Sequence, residues 1–205
     1  MLYDTLIRNA LIIDGSNTPG YQADVAIRDG RIERIGDMSD ATATEEIDAA
    51  GRVLAPGFID VHTHDDTVVI RQPEMLPKLS QGVTTVIVGN CGISASPVSL
   101  KGNPPDPMNL LGTAAAFVYP RFSDYRAAVE AANTTLNVAA LIGHTALRSN
   151  HLDDLLRTAT PEEITAMREQ LRESLEDGAL GLSTGLAYAS AYNASTDEVM
   201  QLTEE

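Results

Sequence analysis

Four short apolar runs constrain this chain more than any other feature. They are Phe58 to His62, Val83 to Val88, Leu136 to Ile142 and Gly178 to Ser183. The second, Val-Thr-Thr-Val-Ile-Val, is β-branched throughout. Such side chains are stiff at χ1 and favour strands, and a run without polar alternation reads as a strand covered on both faces. Helical patterns lie between the runs. Ser123 to Ala132 has a Ser start and an Ala-rich body. Pro161 to Asp177 is the clearest helix: Thr160 is its N-cap, Pro161 takes the first position and Glu163 completes a capping box. Ile164, Met167, Leu171 and Leu175 then form one apolar stripe, and Gly178 ends the helix. A last helix starts at Ser195, with Glu198 placed for a second capping box, and is still running at Glu205. Buried strands alternating with amphipathic helices predict βα units on a parallel sheet. A closed (β/α)8 barrel takes about 250 residues, so the expectation is an α/β fold holding about four βα units of a TIM-like barrel, cut inside the helix after strand four.

The N-terminal residues read differently. Leu2 to Ile7, Ala10 to Ile13, Ala23 to Ile27 and Arg31 to Ile35 lean to strand, punctuated by Asp14-Gly15, Asp29-Gly30 and Ala50-Gly51. Asp29-Gly30 between Val25–Arg28 and Arg31–Ile32 predicts a hairpin. The expected organisation is a small β-sandwich part over residues 1–56, then the half-barrel over 57–205, with no Pro/Gly/Ser-rich linker.

Composition removes several function classes. The net charge of −15 repels phosphate backbones and anionic lipid, and Trp is absent, so no nucleic-acid or membrane-surface role is expected. No apolar run approaches the ~20 residues of a membrane span. The single cysteine, Cys91, rules out an internal disulfide, and no secretory signal opens the chain, so the expected location is cytoplasmic.

The candidate chemistry gathers where the apolar runs end. His62 and His64 are two apart, so in a strand they project to one side, at the C-terminal end where βα barrels do their chemistry. Two imidazoles there can grip a cation; two polar residues finishing a strand is the competing reading. Cys91 follows Val83–Val88 and reads either as a zinc-binding thiolate or as a small buried hydrophobe. His144 follows Leu136–Ile142 and Arg148 lies four residues on; a pocket role and an ordinary structural role stay open for both. Tyr188, after the fourth run, can hold a substrate carboxylate or carbonyl or simply pack in its loop. His151 reads as a surface or capping residue in a polar turn leading into a helix, Asp66 as a helix cap, and Asp65 stays open.

Three blocks carry a resemblance. Ala55-Pro56-Gly57-Phe58-Ile59-Asp60-Val61-His62-Thr63-His64 resembles the amidohydrolase superfamily, whose first barrel strand bears His-x-His. Gly82–Ser94 with its Val-Gly-Asn-Cys-Gly core, Gly143–Arg148 and Gly181–Tyr188 resemble the N-acyl-D-amino-acid deacylases (D-aminoacylases). Many binuclear amidohydrolases place a carboxylated lysine after strand four, where this chain has Ser183-Thr184-Gly185. The resemblance implies hydrolysis of small-molecule N-acyl-D-amino acids with one or two zinc ions. It implies that Cys91 is a ligand of the tighter site, together with histidines of strands five and six, and that His62 and His64 form the weaker site. It places His144 on the pocket wall and favours Tyr188 over Tyr192 as the substrate contact, with Arg148 a candidate for a substrate anion. The family's pattern of a Pro-Gly turn after the tyrosine is replaced here by Ala189-Ser190-Ala191. The general-base Asp is expected beyond Glu205, so these 205 residues alone are expected to be inactive and to need the C-terminal half as partner. A cyclic-amide hydrolase of the dihydropyrimidinase or dihydroorotase kind and a non-catalytic metal-binding half-barrel are the alternatives.

Overall fold

The computed structural model describes residues 2–205, which divide into two units, residues 2–57 and Phe58–Glu205. In the first, β1 (Leu2–Ile12), β2 (Tyr21–Arg28), β3 (Arg31–Gly36), β4 (Thr42–Asp48) and β5 (Val53–Leu54) form one sheet in the order β3-β2-β1-β4, with β5 also on β1. The Asp29-Gly30 turn forms as its residue types demand. Both take left-handed φ values, 51° and 69°, and Arg28 pairs with Arg31. Asn9, at φ 56°, makes a bulge that lets β1 run on through the break between the two short strands expected there. The second layer of a sandwich is not among the described residues; these form a single sheet. Strand β4 gave little signal in the sequence because Thr-Ala-Thr-Glu-Glu-Ile-Asp is an edge strand that is mostly exposed. It joins β1 in parallel register, and Arg8 meets Glu46 at 2.8 Å.

The second unit carries four parallel strands in sequential order: β6 (Phe58–Asp60), β7 (Val83–Val88), β8 (Asn137–Gly143) and β9 (Gly181–Ser183). This is the arrangement of one half of a (β/α)8 barrel. Two single-turn helices, α1 (Val68–Arg71) and α2 (Leu76–Leu79), connect β6 to β7. Helix α3 (Phe122–Ala132) precedes β8, α4 (His144–His151) and α5 (Pro161–Glu176) precede β9, and α6 (Thr196–Thr203) follows it. The core joins Val86, Val88 and Ile142 of the strands to Leu147 of α4, Ile164, Met167 and Leu171 of α5 and Leu202 of α6. Each such apolar side chain, once buried, contributes about 1.5–3 kcal/mol. The capping box of α5 is complete: Thr160 Oγ1 accepts from Glu163 N–H and the Glu163 carboxylate accepts from Thr160 N–H. No helix of the described residues is long and apolar enough to cross a membrane.

Two local expectations fail for the same reason, a partner from elsewhere in the chain. Ser195 caps α6 by accepting from Glu198 N–H at 3.0 Å, but the Glu198 carboxylate does not return the bond, because Arg148 and His144 hold it. His151 ends α4 instead of leading into a helix, and its Nε2 lies 2.9 Å from Gln170 Oε1 on α5.

Candidate metal centre

Strand β6 ends at Asp60, so His62 and His64 stand in the loop just past it. Their placement therefore depends on what holds that loop. Asp60 Oδ1 accepts from His62 N–H at 3.2 Å. Lys78, from α2, places Nζ 2.5 Å from Asp60 Oδ2 and 3.2 Å from Asp65 Oδ2, and Thr63 Oγ1 donates to Asp65 at 2.6 Å. The hydrogen bond from Lys78 holds the Asp60 carboxyl below its usual range despite partial burial. Burial lowers the Lys78 pKa, but its bonds to Asp60 and Asp65 outweigh this and leave it raised. Lys78 carries no motif and was not singled out in the sequence; its 18-residue separation from Asp60 hides the pairing.

The second loop is built from glycine. Gly89, Cys91 and Gly92 take φ values of 78°, 56° and 76°. Left-handed backbone costs a non-glycine residue about 1–2 kcal/mol, so surrounding packing must hold Cys91 there. A Cβ on Gly89 would lie 2.0 Å from Leu141 O, which leaves glycine as the residue that fits. Asn90 Nδ2 ties this loop to Ile87 O at 2.7 Å.

The two loops bring Cys91 Sγ within 3.0 Å of His62 Nε2. The His62 and His64 rings meet edge-on, with centroids 5.7 Å apart and an angle of 83° between planes. One ligand atom from each of His62, His64 and Cys91 lies within 4.8 Å of the others; His62 is exposed and the other two are half-buried. Nitrogen and sulfur ligands about 2.0–2.3 Å from a tetrahedral zinc ion stand roughly 3.4–3.6 Å apart, so small side-chain movements close this cluster on one ion. His64 Nδ1, like His144 Nδ1, is buried without a hydrogen-bond partner among the described residues, but only His64 stands beside a thiol and a second imidazole. Burial first, and His62 second, lower the His64 pKa, which favours the neutral imidazole that binds metal. The donor set of two imidazoles and one thiol suits zinc.

The structure separates the remaining candidates. Arg148 is 0% exposed and its donors are taken. Nη1 bonds both Glu198 oxygens at 2.6 and 2.8 Å, Nε bonds Ser190 O, and Nη2 bonds Leu155 O and Arg157 O. That corrects the expectation of a substrate contact: reaching a ligand would strip a buried carboxylate of its cation. His144 is equally sealed, with Nε2 2.8 Å from Glu198 Oε1, and so braces the interior instead of lining a pocket. Glu198 was read in the sequence only as a cap residue. Burial pushes its pKa up, yet the bonds from His144 and Arg148 win and the net shift is downward. Asp66 does not cap α1. It is 1% exposed, accepts from Ala95 N–H at 3.2 Å in the cysteine loop, and burial pushes its carboxyl up to about 7. Tyr188 is half-buried and close to the cluster: a Cβ on Gly185 would meet both the Tyr188 ring, at 2.6 Å, and Cys91 O, at 2.2 Å. Tyr192 is 72% exposed.

The chain is similar to several known proteins. Residues 45–204 match the amidohydrolase family, and residues 1–55 match the N-terminal domain of the urease alpha-subunit. A D-aminoacylase of Alcaligenes xylosoxydans xylosoxydans is 48% identical over 200 residues, which is 98% of this chain and 41% of that protein. The crystal structure of a D-aminoacylase superposes with a TM-score of 0.94 at 46% identity, covering 98% of this chain and 42% of that one. The N-acyl-D-glutamate deacylase of Bordetella bronchiseptica, solved with zinc and a phosphonate mimic of the tetrahedral intermediate, gives a TM-score of 0.93 at 42% identity, with the same two coverages of 98% and 42%. The chain therefore spans about two fifths of the length of these relatives.

Proposed function

The chain belongs to the amidohydrolase family, and from that premise we propose that it carries part of the metal site of an enzyme hydrolysing the amide of N-acyl-D-amino acids to a carboxylate and a free D-amino acid. The observation that carries this reading is the meeting of His62, His64 and Cys91 past the ends of two adjacent parallel strands. These three residues would hold zinc, as one ion or as part of a pair. When bound, zinc supplies a Lewis acid for the amide carbonyl and makes water nucleophilic near neutral pH.

The chain's own residues divide the remaining work. Lys78, Asp60 and Asp65 keep the two imidazoles in place. Tyr188, beside the cysteine loop, is the substrate contact, its phenol donating to a carbonyl or carboxylate. Asp60 and Asp65 are bound to Lys78, and Asp66 is buried with Oδ1 on Ala95 N–H and Oδ2 unpartnered among the described residues. The resemblance to amidohydrolases assigns the general base to an Asp of a later barrel strand, so these residues alone are expected to show no turnover without the C-terminal half. A thiol that would serve as a metal ligand suits a reducing compartment, so we assign the protein to the cytoplasm. Its partner is the small-molecule substrate, not nucleic acid or a membrane surface.

The test is a substrate panel for the protein that includes this chain: N-acetyl-D-amino acids, their L-enantiomers and hydantoins, before and after chelation. Zinc-dependent turnover of the D-series is expected. Preference for hydantoins would overturn the assignment, and activity that survives chelation would overturn the metal reading.

A further inference from the structure

One hydroxyl on β9 spans the loop that carries Cys91. Ser183 Oγ accepts from Gly92 N–H at 3.0 Å and donates to Gly89 C=O at 2.5 Å. A serine hydroxyl has one proton to give and lone pairs to receive, so both bonds form at once. They grip the backbone on either side of Cys91, the one non-glycine residue of Gly89-Asn90-Cys91-Gly92 with a left-handed φ. Neighbouring backbone closes the loop from other directions. A Cβ on Gly92 would lie 2.7 Å from Gly185 N, one on Gly143 2.6 Å from Gly92 O, and one on Gly185 2.2 Å from Cys91 O. Thr145 N–H also donates to Gly92 O at 2.8 Å. The contacts from Gly143, Thr145 and Gly185 are backbone on backbone, and Ser183 supplies the side-chain bond that crosses the loop.

We propose that Ser183 is a positioning residue for the Cys91 thiol: by bonding Gly89 and Gly92 together it holds Cys91 in the conformation that points Sγ at His62 and His64. The inference rests on reading those three residues as a metal site. Groups that orient a ligand without touching the metal change affinity by about 10–100-fold when removed, which sets the expected size of the effect.

The experiment is a cobalt(II) titration of the protein that includes this chain, followed by the thiolate-to-cobalt charge-transfer absorption in the near ultraviolet, with thermal unfolding and Gly92 amide exchange measured on the metal-free protein. The wild-type chain is expected to develop the band. Ser183→Ala is expected to bind cobalt about 10–100-fold more weakly with a diminished band, to exchange the Gly92 amide faster and to keep a near-native unfolding midpoint. Ser183→Thr retains the hydroxyl and is expected to recover most of the affinity. A wild-type band that Ser183→Ala leaves unchanged overturns the inference alone, as does equal loss in the Ala and Thr variants, unchanged Gly92 exchange, or a Ser183→Ala chain that does not fold. No band in the wild-type chain overturns the metal reading itself, and the ligand-positioning role of Ser183 with it.

Discussion

Two histidine clusters stand at the ends of neighbouring strands, and they are built in opposite ways. After β6 and β7, His62, His64 and Cys91 leave lone pairs available, with His62 in water and His64 Nδ1 without a partner among the described residues. After β8, His144 and Arg148 close on Glu198 with all three side chains 0% exposed. Both clusters contain residue types that bind metals or substrates, both sit at the strand ends where barrel chemistry occurs, and only the first is open to water. The difference lies in burial and charge pairing: Arg148 and Glu198 bond each other out of reach of water, whereas the first cluster opens to it. The open cluster has contacts among its members, His62 with Cys91 and His64, and its first loop is tied down by Lys78, Asp60 and Asp65. The sealed cluster pairs its own charges, leaving His144 Nδ1 without a partner among the described residues, and ties α4 to α6 and to the backbone around Ser190. The open cluster should therefore govern metal binding with little effect on stability, and the sealed cluster should do the reverse.

The largest expected effect breaks the sealed cluster. Glu198→Ala leaves the Arg148 guanidinium buried without its carboxylate and should lower unfolding free energy by about 3–5 kcal/mol in urea titration. The double replacement Arg148→Met with Glu198→Leu removes both charges and should recover most of that loss. Stability near wild type for Glu198→Ala would show that the cluster is not the brace described here. Next comes the open cluster. His62→Ala should weaken zinc binding by roughly 100-fold or more in a chelator competition assay, since even outer-sphere contacts are worth about 10–100-fold. As an exposed residue, His62 should move stability by no more than about 0.5 kcal/mol on this substitution. A large stability loss there would erase the contrast between the clusters.

Lys78→Met tests whether the open cluster depends on its neighbours. Asp60 and Asp65 lose their shared cation, the loop bearing both imidazoles is released, and zinc affinity should fall by about 10-fold in the same assay. The smallest effect concerns a pair that water reaches. Glu163 has its pKa lowered to about 2 from 4.5, chiefly by its hydrogen bond to Arg157. A depressed carboxylate adds stability above the unfolded value and loses it as pH falls through the folded one. Glu163→Gln should therefore flatten the stability profile between pH 4.5 and about 2. The cost at neutral pH should stay under about 1 kcal/mol, well below that of Glu198→Ala. The measurement is the urea midpoint as a function of pH.

Much of the fold was legible because its signals are local. The β-branched run Val83–Val88, the Asp29-Gly30 turn and the cap and stripe of α5 each depend on residues a few positions apart. His62, His64 and Cys91 were legible as candidates because each follows an apolar run that ends where barrel chemistry begins. Strand β4 was not legible, since an exposed edge strand needs few apolar residues.

Sequence by itself determined the four parallel strands and the helices α3, α5 and α6, and offered His62, His64 and Cys91 as candidates to hold a metal. Only the tertiary structure decided which histidines are free to do so. Glu198 has the spacing of a capping box, yet its carboxylate goes to Arg148, fifty residues away. Arg148 and His144 had been open to substrate for the same reason that Glu198 had been given to its own helix: nothing within a few residues reveals who their partner is. Backbone periodicity and caps are set by neighbours along the chain, whereas burial and the matching of charges are set by whatever the fold carries in from a distance. That is why the motif after β6 could be read in advance, while the lysine that steadies it and the serine that braces its cysteine could not.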